Sequence, residues 1–139
     1  MKSDHNILSK KLRSFNLQEL MVVLVIIGIL ILIALPSLMP LISKAKSIEA
    51  QVQLKHIHSI ARTHFFTYSK YSADFNELGF EMPKLVSENG NSNYKYEIIE
   101  ATNSSFKARA TAITDFDSDG VFNVWEIDHM QSLKEIVKD

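Results

Sequence analysis

LMVVLVIIGILILIAL, residues 20–35, contains nothing that is not apolar or glycine. Leu38, Met39, Leu41 and Ile42 continue it past Pro36 and Ser37. Counted to Ile42 the segment is long enough to cross a bilayer, which takes about 20 apolar residues. An isolated span in lipid has to be a helix, because no water is present to satisfy its backbone groups. The stretch therefore decides the architecture: a membrane-spanning helix comes first, and everything soluble follows it.

The flanks orient the span. Residues 1–13 carry Lys2, Lys10, Lys11 and Arg13 against Asp4 alone. This basic excess predicts a cytoplasmic N-terminus, which Lys44 and Lys46 on the far side weaken without reversing. A cleaved secretory signal fits poorly, since the run is too long and Ala34-Leu35-Pro36 offers no small-x-small cleavage site. Pro36 and Pro40 are tolerable as kinks in a membrane helix. Beyond them Leu41, Ala45, Ile48 and Val52, then Ile57, Ile60, Ala61, Phe65 and Tyr68, recur mostly at spacings of three and four. Polar residues fill the gaps. The pattern predicts a helix from Phe15 to Tyr68, roughly 80 Å at ~1.5 Å per residue, with its second half packed through that stripe on a globular body.

With 139 residues and a formal net charge of -1, the chain has room for one domain and no charge bias toward nucleic acid. It has no cysteine, so a small domain in an oxidising compartment needs another staple, and a metal is the obvious one. Ser72 is a candidate N-cap for a short helix over residues 73–78, with Gly79 just past its end. Asn89-Gly90 is turn chemistry. Residues 94–99 and 106–113 are strand-like and joined by Asn103-Ser104-Ser105, while residues 121–127 and 133–137 add one or two further strands. The fold class expected is α+β: one long N-terminal helix on a small antiparallel sheet of three or four strands.

Ser14-Phe15-Asn16-Leu17-Gln18-Glu19-Leu20 resembles the processing signature of the type IV pilins and type II secretion pseudopilins. The resemblance implies a pilin-like fold and removal of a basic leader, residues 1–14, by a prepilin peptidase. The new Phe15 amine would be methylated, and residues 15–42 would form the transmembrane and filament-core half of the helix. Residues 43–139 would form the globular domain outside the inner membrane. Phe15, Glu19 and Pro36 occupy the family's places; Ser14 departs from the usual glycine. The partners implied are identical subunits, the peptidase, an inner-membrane assembly platform and membrane lipid.

Glu19 also stands out on physical grounds. A carboxylate in a membrane helix costs about 2.5–3.5 kcal/mol near the centre and less near the interface. In the pilin-like reading a neighbour's Phe15 amine compensates that cost. Such a pair works as a register device, because misaligned subunits leave both charges unpaired.

Near the C-terminus, Asp115-Phe116-Asp117-Ser118-Asp119-Gly120-Val121-Phe122-Asn123-Val124-Trp125-Glu126 fits the pattern D-x-[DN]-x-[DN]-G-x5-E. Calcium takes six to eight oxygens. Asp115, Asp117, Asp119, the Val121 carbonyl, Asn123 and Glu126 would supply them, with Gly120 making the sharp turn. The strand-like flank predicts an EF-hand-like loop between strands, and Asp128 is a second candidate for the closing role. Resemblance to the calcium-binding major pseudopilins points to the secretion branch of the family.

No nucleophile–base set, P-loop or dinucleotide fingerprint suggests an enzyme. His56 and His58 do not share a helix face, and His64 reads as a hydrogen-bonded structural residue. The alternative to a filament subunit is a singly anchored, non-polymerising, calcium-dependent binding module.

Overall fold

The computed structural model describes residues 14–139. Residues 1–13 of the expected leader lie outside them. Helix α1 runs Leu17–Tyr68, through Pro36 and Pro40, and begins within two residues of the expected start. A four-residue helix α2 (Phe75–Leu78) and a 3-10 turn over Val86–Glu88 follow. Four strands complete the chain: β1 (Tyr94–Ala101), β2 (Phe106–Ala112), β3 (Val124–Asp128) and β4 (Leu133–Val137). They form one antiparallel sheet in the order β1-β2-β3-β4. The α+β architecture expected from the sequence is the one observed. The described chain falls into two compact units, one ending at Pro36 and the other Ser37–Asp139.

Strand alternation explains the sheet. Along β2, Phe106, Ala108, Ala110 and Ala112 are buried while the residues between them are half-buried. Tyr94 and Tyr96 of β1 and Ile127 of β3 share that inner face. Ala50, Leu54, Ile57 and Ala61 of α1 complete the core, all fully buried. Three alanines on the central strand and two on the helix hold little bulk, so the two backbones can approach closely. The aromatic side chains then fill the flanks, with Tyr71 tilted against Phe106 at 5.4 Å between ring centroids and Phe80 edge-on to Tyr96 at 6.3 Å.

The helix face that packs is not the one the apolar stripe suggested. Leu41, Ala45, Ile48, Val52 and Tyr68 are exposed, whereas Ser43, Ser47, Ala50, Leu54, Ile57, His58 and Ala61 face inward. Ile57, Ile60 and Ala61 alone keep the expected place in the core, with half-buried Phe65 stacked on Tyr71. The physical reason lies in what each stretch of the helix meets: Leu54 and Ile57 enter the core with Tyr94, Tyr96 and Phe106, while Ser43 donates to the Asp139 carbonyl beyond β4. The large apolar row of α1 consequently points away from its own domain.

Two local features tie the connector down. Asp74, rather than Ser72, caps α2 through Oδ1, which accepts from Asn76 N at 2.8 Å, and Gly79 closes it in the left-handed region. Ser72 instead turns inward, its hydroxyl donating to Glu77 and accepting from Asp74 N. Further on, Glu49 of α1 accepts from Ser92 Oγ, Asn93 N and Asn93 Nδ2 at 2.8–2.9 Å. This clamp fixes the start of β1 to the helix.

Candidate functional site

Ser14 and Phe15 precede α1 outside any regular element and are exposed, Phe15 at 79%. Every residue of α1 from Leu17 to Ile42 is exposed. Glu19 has a local partner that the sequence reading missed: its Oε2 accepts from Asn16 N at 3.1 Å. This is half of a capping box, with Asn16 as N-cap and the glutamate three residues on. The spacing was legible beforehand as a helix-start signal. The negative charge also suits the positive end of the helix dipole.

The C-terminal loop is built by its own carboxylates. Asp115 accepts from Gly120 N at 2.7 Å and Ser118 N at 2.6 Å, Asp117 from Asp119 N at 3.1 Å, and Asp119 from Val121 N at 2.7 Å. Such turns need left-handed backbone, supplied by Ser118 at φ 66° and Gly120 at φ 88°. The bond from Gly120 N, with help from Ser118 N, holds the Asp115 carboxyl below its usual range. Asp117 is pushed the other way by local desolvation and by the charges of Asp119, Asp139 and Asp115.

The loop meets a residue that the sequence pattern did not contain. Asp139, beyond β4, accepts from Phe116 N through Oδ2 at 3.0 Å, and its backbone carbonyl accepts from Ser43 Oγ at 2.8 Å. One carboxylate oxygen from each of Asp115, Asp117 and Asp139 falls within 4.8 Å of the others. Nothing in the spacing from the loop to Asp139 could have signalled this; the fold of β4 alone brings it back.

Asn123 and Glu126, expected among the ligands, are placed elsewhere. Asn123 is 1% exposed and belongs to the core, where Oδ1 accepts from Tyr94 Oη at 2.7 Å. Its Nδ2 donates to Glu135 at 2.7 Å and to the Val137 carbonyl at 3.0 Å. Glu126 lies on β3 opposite Arg109, which donates to its Oε1 from Nε at 2.8 Å and NH2 at 2.7 Å. Asp119 is outside the three-carboxylate cluster, and Asp128 caps the β3–β4 turn by accepting from Met130 N and Ser132 N. Phe122 is 44% exposed rather than part of the core, while Phe116 and Trp125 pack against it. His64 is hydrogen-bonded as expected, to the Lys70 carbonyl at 3.0 Å.

The three clustered carboxylates fit calcium on two counts. Oxygens bound to one Ca²⁺ at its usual distances stand no more than about 5 Å apart, which the cluster meets. In addition, Asp139 Oδ1 is buried with no hydrogen-bond partner, and a hard cation would satisfy it.

No family model matches the chain. The chain is similar to the type IV major pilin protein PilA of Myxococcus xanthus (strain DK1622), with 37% identity over 89 residues. The match covers 64% of this chain and 38% of that protein, so the chain spans less than half the length of the relative.

Proposed function

We propose that the chain is a structural subunit of a type IV pilin-like filament, anchored by the first half of α1 and stacked against identical copies through it. The observation that carries this is the outward row Leu41, Ala45, Ile48 and Val52. Lipid can cover the apolar helix as far as Ile42, but Ile48 and Val52 are 55% and 59% exposed beyond it. Burying them stabilises by about 25 cal/mol per Å² of apolar surface, and an equivalent helix of a second copy offers a matching apolar surface. Similarity to a type IV major pilin supports the same reading.

Within it, Ser14–Phe15 is the processing point of a prepilin peptidase, and the mature subunit waits in the inner membrane for its assembly platform. Glu19 pairs with a neighbour's Phe15 amine. Calcium, held by Asp115, Asp117 and Asp139, would tie the loop to the chain beyond β4. That cluster and the lack of cysteine favour a secretion pseudopilus as the particular filament; similarity to a major pilin favours a pilus. The N-terminal mass of membrane-extracted protein tests the whole reading. A start at Phe15, about 14 Da heavier for a methyl group, is expected. A retained leader, with assembly indifferent to Glu19→Ala, would instead fit a non-polymerising binding module.

A further inference from the structure

The packing face of α1 changes character along its length. Ala50, Leu54, Ile57 and Ala61 are fully buried against the sheet, but nearer the membrane segment the same face carries Ser43 and Ser47, each 4% exposed. Both hydroxyls are already spent, on the Asp139 carbonyl and on the Lys44 carbonyl, each at 2.8 Å. Serine fills far less space than leucine, so helix and sheet do not close beside these two residues. A cleft of about 410 Å³ remains, within the size range of small-molecule sites.

The lining combines three chemistries. Pro40, Leu41 and Trp125 form an apolar wall, Lys44 and Lys138 bring positive charge, and Glu135 and Asp139 bring negative charge. Both signs line the cleft, so a simple anion or cation would leave like charge facing it. The cleft also begins where the apolar run ends, at Pro40 and Leu41. Tryptophan and snorkelling lysines belong at that depth, where headgroups meet hydrocarbon.

We infer that this cleft binds the headgroup of a zwitterionic phospholipid bearing a primary ammonium, that is, a phosphoethanolamine lipid. Its phosphate lies between Lys44 and Lys138, and its ammonium donates to Glu135. Its acyl chains run back along the exposed Leu41 and Leu38. A phosphocholine headgroup has no N–H to donate, and a phosphoglycerol headgroup has no cation. The inference rests on the membrane anchor of the proposed function, but not on polymerisation.

Trp125 is the single tryptophan of the chain, so its emission reports on the cleft directly. The full chain is placed in nanodiscs of phosphatidylcholine alone, or with added phosphatidylethanolamine or phosphatidylglycerol. Retained lipid is then counted by native mass spectrometry. Phosphatidylethanolamine should shift Trp125 emission to the blue and be retained as one molecule. Lys44→Ala with Lys138→Ala should weaken retention roughly tenfold or more, as expected for lost charge-assisted hydrogen bonds. Ser47→Leu, which fills the cleft, should abolish it.

Equal responses to all three lipids would overturn the inference, as would retention unchanged in the exposed-lysine variant. A response to phosphatidylglycerol or to inorganic phosphate alone would overturn it in favour of an anion site. A chain that never enters the nanodisc would remove the anchor itself, whereas insertion without headgroup preference removes only this inference.

Discussion

Tyr94 Oη donates to Asn123 Oδ1 at 2.7 Å, joining β1 to the segment before β3 through two residues that are 0% and 1% exposed. Asn123 passes the connection on to Glu135 and Val137 of β4. A residue that looked like a metal ligand is thus a buried polar junction between three parts of the sheet.

Asn123→Ala would strand the buried Tyr94 hydroxyl, at a cost of about 1–3 kcal/mol, and would also remove the bonds to Glu135 and the Val137 carbonyl. Tyr94→Phe strands only the Asn123 oxygen and should cost less. Denaturant unfolding of the full chain in detergent, wild type against both variants, checks the order. Equal stability of all three proteins would remove the junction's role.

The same tyrosine gives a pH dependence. Burial first, and then the charge of Glu49, raise the hydroxyl pKa values of Tyr94 and Tyr96 above the ordinary value. The folded state therefore favours neutral phenols. This contribution is complete below the unfolded value of about 10 and declines as pH rises above it. Melting temperature should hold between pH 8 and 9.5 and fall beyond pH 10, with a weaker fall in Tyr94→Phe. A flat profile to pH 11 would contradict the burial of both hydroxyls.

Calcium dependence separates two ligand sets. If Asp139 closes the site, calcium at a hundredfold excess over Kd should add about 2.7 kcal/mol of stability, and Asp139→Asn should reduce that gain. Glu126→Gln should leave it intact while losing the Arg109 pair, a partly exposed contact of about 0.2–1 kcal/mol. The opposite outcome, loss in Glu126→Gln alone, would restore the ligand set expected from the sequence pattern. Identical melting with calcium and with chelator would remove the metal altogether.

Gly90 sits where a Cβ would lie 2.0 Å from the Lys84 carbonyl oxygen. Gly90→Ala should force the loop to shift and cost about 1–3 kcal/mol, as overpacking does. Because the Glu49 clamp on Ser92 and Asn93 lies just beyond, amide exchange at Asn93 should rise in the variant. Unaltered exchange would mean that the loop yields without disturbing β1.

Glu19 can be asked which of its two roles matters. Glutamine also serves at the third position of a capping box, so Glu19→Gln should keep the helix start and insert into membranes normally. In the filament reading it should nevertheless lose assembly, because the charge is gone. Filaments at wild-type level in Glu19→Gln would show that the cap, and not the charge, is what Glu19 supplies.

The periodicities were legible where they were unambiguous. The apolar run named α1, and alternation in residues 94–99 and 106–113 placed β1 and β2 within two residues of their ends. The direction α1 faces was not legible, because two stripes lie on one helix. Nothing local says that Ser43 and Ser47 go inward while Ile48 and Val52 go out; contacts with the sheet and with the chain beyond β4 decide it. The acidic loop was read correctly as a tight turn at Gly120. Where Glu126 and Asp139 stand was not legible, because strand pairing sets Glu126 against Arg109, and Asp139 is brought to the loop only by the return of β4.

The pairing of Arg109 has a wider effect. Across the outer face, Glu97, Arg109, Glu126 and Lys134 lie opposite one another in successive strands. Their signs alternate and sum to zero, so the row's field fades faster than that of a lone charge, which salt screens over about 8 Å. Two copies approaching through this face would feel no long-range attraction from its net charge. In the filament reading the outer sheet would then add little to recognition between copies, and the uncovered apolar row of the helix would carry more of it.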